Sequence, residues 1–268
     1  SKYRDFFVQG LLTNQFASLA EIQAQTEMYH WDLNQGVAAV VLEHQKQQQQ
    51  VHLHMPLLDE ITNKANVLFH NPFSLSIYTK IGERIIFLIA PRYADLNHFR
   101  KHLNEACQTV IQEVKRDLGV HLMIGVGNYK SSLLEVRQSY EEALQAAVVG
   151  QEIQTPVCFF DKLGLYRLLT PLVGTEPARQ YQEQYLRPLI LHDAQYRSDY
   201  LQTVRMLATT DWNLQQTAEK LYVHYNTVKN RYHKIGELLN MDLSVISNRI
   251  DLTIAVKLML LTNQPTHI

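Results

Sequence analysis

The sequence predicts an α+β sandwich, with helices laid on a mainly antiparallel sheet, followed by an all-α C-terminal module. Three observations carry this. Short apolar or alternating runs at 36–44, 73–79, 84–90, 120–127 and 156–160 are interleaved with segments of helical periodicity. Two of those runs are joined by the tight turn "KIGE". After Pro171 and Gly174 only helical spacing remains.

Taken in order, residues 3–29 read as two short helices, the second opened by Ser18 with Glu21 three positions on, a capping box. "GVAAVVLEH" is apolar on successive residues, the pattern of a buried strand, and "QKQQQQ" beyond it lacks core-forming residues and reads as a solvated loop. A helix over about 56–65 leads to "FSLSIYT", where Phe73, Leu75 and Ile77 alternate with Ser74, Ser76 and Tyr78, as in a half-buried strand. "RIIFLIA" returns as the second strand of an antiparallel hairpin. Phe99, Leu103, Cys107, Val110 and Val114 then hold helical spacing through a long segment. "VHLMIGVG" is a strand ending in glycine. Leu133, Val136, Tyr140, Leu144 and Ala147 mark the inward face of the next helix, with Gly150 as its C-terminal stop, and "PVCFF" supplies the last strand. The boundaries expected are 1–170 for the sandwich, 171–197 for a helical linker and 198–268 for the C-terminal module.

With 268 residues, 46% of them hydrophobic, the chain has enough material for two domains with separate cores. Its formal net charge is −1, so binding to nucleic acid requires a local basic patch. Cys107 and Cys158 lie far apart in apolar runs, as reduced buried thiols do. There is no charged-then-apolar leader and no apolar run of bilayer length, so the reading is a cytoplasmic protein without a membrane partner. The chain opens at Ser1, already inside the helical pattern "YRDFFVQGLL", and is expected to be a fragment lacking its N-terminal portion.

In the C-terminal module Tyr200, Val204 and Leu207 form one stripe, opened by Asp199 with Gln202 three positions on. Asn213 with Gln216 repeats the device ahead of Leu214, Ala218 and Leu221. After the brief connection "YVHY", Val228, Tyr232, Ile235 and Leu239 face inward on a longer helix. Short helix, tight turn, longer helix, with the small Ala218 where two helices must approach, is the helix-turn-helix pattern. That register leaves Tyr225, Asn226, Lys229, Asn230 and His233 outward, with Arg231 and Lys234 on the flanks, and no carboxylate between His224 and Ile235. Asparagine can pair with adenine in two hydrogen bonds, lysine and arginine with guanine or phosphate, and Thr227 near the helix start with a phosphate oxygen. His224 and Tyr225 either touch DNA or brace the turn. The bland alternative is the solvated face of an ordinary helical packing unit.

The segment "NLQQTAEKLYVHYNTVKNRYHKIGELLNMDL" resembles the C-terminal DNA-binding domain of bacterial regulators of sugar-diacid utilisation, related to the PucR-type regulators of purine catabolism. The shared pattern is carried by Thr217, Ala218, Leu221, Val223, His224, Asn226, Thr227, Arg231, Ile235, Glu237 and Leu238, and "NRIDLTIAVKLML" is similar to the last helix of that family. Upstream, "RDFFVQGLL", "YHWDLNQGVAAVVLEH", "LMIGVGNYKSSLLEVRQSYEEALQAAVVG" and "CFFDKLGLYRLL" resemble its degenerate GGDEF-like, nucleotidyl-cyclase-like domain. The resemblance implies a ferredoxin-like α/β sandwich ahead of the helix-turn-helix. It also implies an activator of carbohydrate-diacid catabolic genes (glycerate, glucarate or galactarate), or a PucR-like regulator of another pathway. Its partners would be double-stranded promoter DNA, a second copy of the chain in a homodimer, and RNA polymerase. A small-molecule inducer would be sensed by the absent N-terminal domain. The dimer or relay surfaces expected are the cyclase-like domain and the helix over about 176–191.

An enzyme of the cyclase type needs carboxylates for divalent metal and a glycine-rich hairpin against the phosphates. The hairpin here is "TKIGERI", in which Gly82 and Glu83 are the only remnants of the active motif, and Glu43 in "VLEHQ" stands near the place of a metal-binding aspartate. The expectation is therefore no catalysis and no cofactor. His98 and His102, four apart with Glu105 nearby, have zinc-compatible spacing but read as unliganded surface histidines, as do His52 and His54; His121 reads as structural. A scaffold that uses its helix-turn-helix only against protein remains as a rival from another class.

Overall fold

The computed structural model describes residues 2–13, 15–16, 18–32, 34, 36–45 and 55–262. The glutamine-rich tract beyond Gln45, together with His52 and His54, lies outside the described residues. The chain divides between Gly164 and Leu165 into two compact units, a few residues ahead of the Pro171–Gly174 break at which the sandwich was expected to end.

The first unit runs α1 (Lys2–Thr13), α2 (Leu19–Met28), β1 (Ala38–His44), α3 (Met55–His70), β2 (Leu75–Ile81), β3 (Arg84–Ala90), α4 (Leu96–Leu118), β4 (Leu122–Val126), α5 (Val136–Ile153) and β5 (Val157–Phe159). The strands form one sheet in the order β2-β3-β1-β4-β5, antiparallel except for the β4–β5 pair. From β1 to β4 this is the βαββαβ arrangement of ferredoxin-like folds.

Both faces of the sheet are covered, which explains the unbroken apolar run in β1. Ala38, Val40 and Leu42 join α3 and α4 in one core, with Ile85, Phe87 and Ile89 of β3. Val37, Ala39 and Val41 join α1 and α5 in the other, with Ile86, Leu88 and Ala90. The stripe read from α4 matches its buried residues one for one, Phe99, Leu103, Cys107, Val110 and Val114. Burial raises the Cys158 thiol to about 11 and pushes Cys107 further up, so both remain protonated at neutral pH.

Two expectations are corrected. α3 continues past Ala65 because Phe69 extends its buried stripe to His70. Gly150 does not stop α5, which runs three residues further to a left-handed Gln154. Glycine suits close packing there: a Cβ would lie 2.7 Å from Met123 Sδ, which would have to shift, and 3.0 Å from the Thr155 carbonyl oxygen.

The second unit is helical: a short α6 (Tyr166–Leu169), then α7 (Glu176–Tyr196), α8 (Tyr200–Thr209), α9 (Leu214–Leu221), α10 (Tyr225–Leu239) and α11 (Ile246–Thr262). α11 packs on α7 and α8. Tyr181 and Tyr185 on α7 donate hydrogen bonds to the Asp251 carboxylate of α11, and Trp212 Nε1 donates to Thr253 Oγ1. The segment expected as a linker is thus an integral helix of the second unit.

Candidate nucleic-acid interface

Three helices meet on a small core made by Leu207 of α8, Ala218 of α9 and Val228 of α10, with Trp212, Leu214, Leu221, Val223 and Tyr232 packed around it. The hydroxyls of Thr210 and Thr217, both buried, approach to 2.6 Å beside this core. α9 begins as its sequence suggests, the Asn213 side chain accepting from the Gln216 N–H at 3.0 Å. It ends on Tyr222 in the left-handed region, where the Tyr222 and Val223 N–H groups return to the carbonyls of Glu219 and Ala218.

His224 occupies the N-cap of α10, its Nδ1 accepting from the Asn226 N–H at 3.2 Å. One ring nitrogen therefore braces the turn. Val228 and Ile235 are fully buried and Tyr232 partly so, and burial raises the Tyr232 phenol above its ordinary value. With these as anchors, Tyr225, Asn226, Lys229, Asn230 and His233 are exposed and Thr227 is half-buried. Asn226, Lys229, Asn230 and His233 recur at three- and four-residue intervals and so share one helical face. The side chains of Asn226, Lys229 and Asn230 make no hydrogen bond or ion pair to other described residues.

Arg231 and Lys234 are placed differently from the rest. The Arg231 guanidinium donates to Asp199 Oδ2 at 2.7 Å and to the fully buried Thr203 hydroxyl at 3.2 Å, tying α10 to the start of α8. Arg231 is therefore held within the helical unit, unlike Lys229 on the outer face. Lys234 is exposed but lies 2.8 Å from Glu237; their hydrogen bond holds the lysine above and the glutamate below its ordinary value.

The Asp199–Gln202 capping box is also corrected. Asp199 sits at the N-cap position of α8 without a side-chain cap bond. Asp193, from the end of α7, accepts instead from the Tyr200 and Leu201 N–H groups, each at 2.9 Å. Local spacing could not reveal this, because the cap comes from the preceding helix.

Because Asp199 is half-exposed, its pair with Arg231 is expected to contribute about 1 kcal/mol to stability. The coupling energy of Arg231→Ala with Asp199→Ala in urea unfolding measures it. Strict additivity would show that the pair does not hold α10.

In the first unit the residues nearest to cyclase chemistry are engaged structurally. Gly82 has φ 60 in a two-residue turn closed by the Ile81–Arg84 pair. The buried Glu43 accepts from Arg84 Nε at 3.0 Å and from Gln151 Nε2 at 3.2 Å. His44 lies below its ordinary pKa through burial and the neighbouring His121. The rings of His98 and His102 meet edge-on at 3.9 Å, and among the described residues no three histidine, cysteine or carboxylate side chains gather as a metal site.

The proline-responsive transcriptional activator PutR of Bacillus subtilis (strain 168) is 30% identical over 142 residues, which are 52% of this chain and 34% of that protein. The DNA-binding transcriptional activator AdeR of the same organism is 24% identical over 208 residues, 75% of this chain and 46% of that protein. The chain thus spans less than half the length of these curated relatives. The crystal structure of a regulator of polyketide synthase expression from Bifidobacterium adolescentis is 18% identical, with a TM-score of 0.40 over 95% of this chain and 96% of that one. Residues 13–149, about half of the chain, match the GGDEF-like domain, and residues 200–258 match the PucR C-terminal helix-turn-helix domain. The chain therefore belongs to the PucR family, with a GGDEF-like domain ahead of the family's C-terminal helix-turn-helix domain.

Proposed function

We propose that this chain is the DNA-reading part of a transcription regulator, with α10 docked in the major groove. The observation that carries the reading is the exposed face of Asn226, Lys229, Asn230 and His233 on a helix held from behind by Val228 and Ile235. Tyr225, Thr227 and Lys234 border that face and suit phosphate contacts, and the second nitrogen of His224 is directed to the same chemistry. A single module offers few base contacts, so a homodimer on two half-sites about one helical turn apart supplies the affinity that one copy lacks.

Two relatives named as transcriptional activators favour activation. The sugar-diacid resemblance favours carbohydrate-diacid catabolic genes as targets, in the cytoplasm, with the inducer sensed by a domain N-terminal to these residues. The relatives' greater length accommodates such a domain. Glu43 is a partner of Arg84 and Gln151 and Gly82–Glu83 a plain turn, which supports a structural role for the GGDEF-like unit.

The test is binding to a promoter fragment across salt concentrations. Lys229→Ala is expected to weaken binding and to reduce the salt slope by ~1 if the lysine meets a phosphate, or to lose ~1–3 kcal/mol of discrimination at one position if it meets a base. Arg231→Ala should leave the slope unchanged. Wild-type affinity and slope in Lys229→Ala would refute α10 as the reader.

A further inference from the structure

We propose that Tyr222, in the turn between α9 and α10, contacts duplex DNA, with its ring on a deoxyribose and its hydroxyl on a phosphate oxygen beside the groove that α10 enters. This rests on the DNA-reading assignment of α10.

The ground is a mismatch between backbone and side chain. Tyr222 has φ 56, a region where bulky side chains are disfavoured and glycine or asparagine is usual. Its conformation is set by the N–H of Tyr222 bonding to the Glu219 carbonyl at 3.2 Å and that of Val223 to Ala218 at 3.1 Å. Two of the other positive-φ residues are accounted for within the chain. Asn240, at φ 50, is a residue that tolerates the region. Trp212, at φ 61, is bulky, but its ring packs on the Leu207–Ala218–Val228 core and its Nε1 donates to Thr253 at 3.1 Å. Tyr222 has no such compensation: it is 95% exposed and makes no side-chain hydrogen bond or ring contact to other described residues. A ring that adds nothing to the fold, on a backbone that disfavours it, has its partner outside the chain.

Position and neighbours select that partner. In helix-turn-helix docking the N-terminal residues of the second helix meet base edges, so the turn ahead of them faces the groove wall, which is sugar and phosphate. Lys220, two residues before Tyr222, is exposed with no ion pair to described residues, and His224, two residues after, presents its ring at the N-cap of α10. A cation, a phenol and an imidazole in one turn suit a phosphodiester. An apolar protein pocket would call for exposed aliphatic neighbours, and the sequence from Lys220 to Asn226 has only the half-buried Leu221 and Val223.

The experiment uses the full chain and a duplex selected by the wild type from a random-sequence pool. Tyr222→Asn is expected to unfold at the same or a higher urea concentration, yet to bind about tenfold more weakly. Its salt slope should be unchanged because no charge is removed. Tyr222→Phe should recover part of the loss through the ring. Equal affinity of Tyr222→Asn and wild type, with Lys229→Ala still impaired, overturns the Tyr222 contact and leaves the α10 reading standing. Weaker binding that only tracks a loss of stability overturns it as well. A wild type that enriches no duplex removes both.

Discussion

Gly127→Ala is expected to prevent the first unit from reaching its native packing. A Cβ there would stand 1.9 Å from the Ser139 carbonyl oxygen, and one at Gly125 would stand 2.1 Å from that of Ala143. Both obstacles are backbone of α5, which lies on the sheet through Ala143, Ala146 and Ala147, all fully buried. No rotamer relieves the clash, so the helix must move away by more than an ångström. That movement breaks a buried network. The Ser139 hydroxyl donates to the Asn128 carbonyl at 2.7 Å and accepts from the Ala39 N–H at 2.9 Å. Glu142, one turn on, accepts from the Asn128 N–H at 2.8 Å and from Lys130 Nζ at 2.9 Å. Separating such groups in the interior leaves donors and a charge without partners, and together with the overlap the loss should exceed about 4 kcal/mol. Urea unfolding followed by circular dichroism checks this, with Gly82→Ala as the comparison. Nothing lies within 4 Å of a Cβ at Gly82, where only its φ of +60 disfavours alanine, so about 1 kcal/mol is expected. A Gly127→Ala chain that unfolds at the wild-type urea concentration would show that α5 does not rest on β4 as described.

The same region shows where sequence reading succeeds and where it stops. Strands and long helices announced themselves because burial is periodic. β1 is apolar from Ala38 to Leu42 since its two faces serve two cores, and α4 repeats its stripe without a fault. The helix-turn-helix was legible for the same reason: Val228 and Ile235 mark one face and thereby expose the other. What escaped were features decided by contacts across the chain. Gly150 has the residue type of a helix stop, yet its use is close approach to Met123. Asp199 has the type and spacing of a cap, yet its carboxylate pairs with Arg231, 32 positions away, while Asp193 does the capping. Arg231 sits among basic DNA-type residues, and only its distance to Asp199 and Thr203 separates it from Lys229. Residue type proposes a role at such positions, and the fold decides between roles of equal chemistry.

That distinction gives the last large effect its form. Leu207→Ala is expected to destabilise the helical unit by about 2–5 kcal/mol, since it empties the centre of a core whose other fully enclosed members, Ala218 and Val228, are small. Leu207→Met, which conserves volume, should cost less than about 1.5 kcal/mol. Val228 is the anchor of α10 on this core, so a cavity at Leu207 frees the helix that carries Asn226, Lys229 and Asn230 without touching any of them. Apparent DNA affinity should then fall in proportion to the population of the competent state, and recover on cooling towards the temperature of maximum stability or in a stabilising osmolyte. The salt slope should stay at the wild-type value, because the competent molecules release the same counterions. Lys229→Ala should do the reverse, changing the slope and leaving the urea midpoint where it was. If Leu207→Ala instead flattened the salt dependence while unfolding normally, the α8 core would be part of the contact surface and the anchor assigned to Val228 would be wrong.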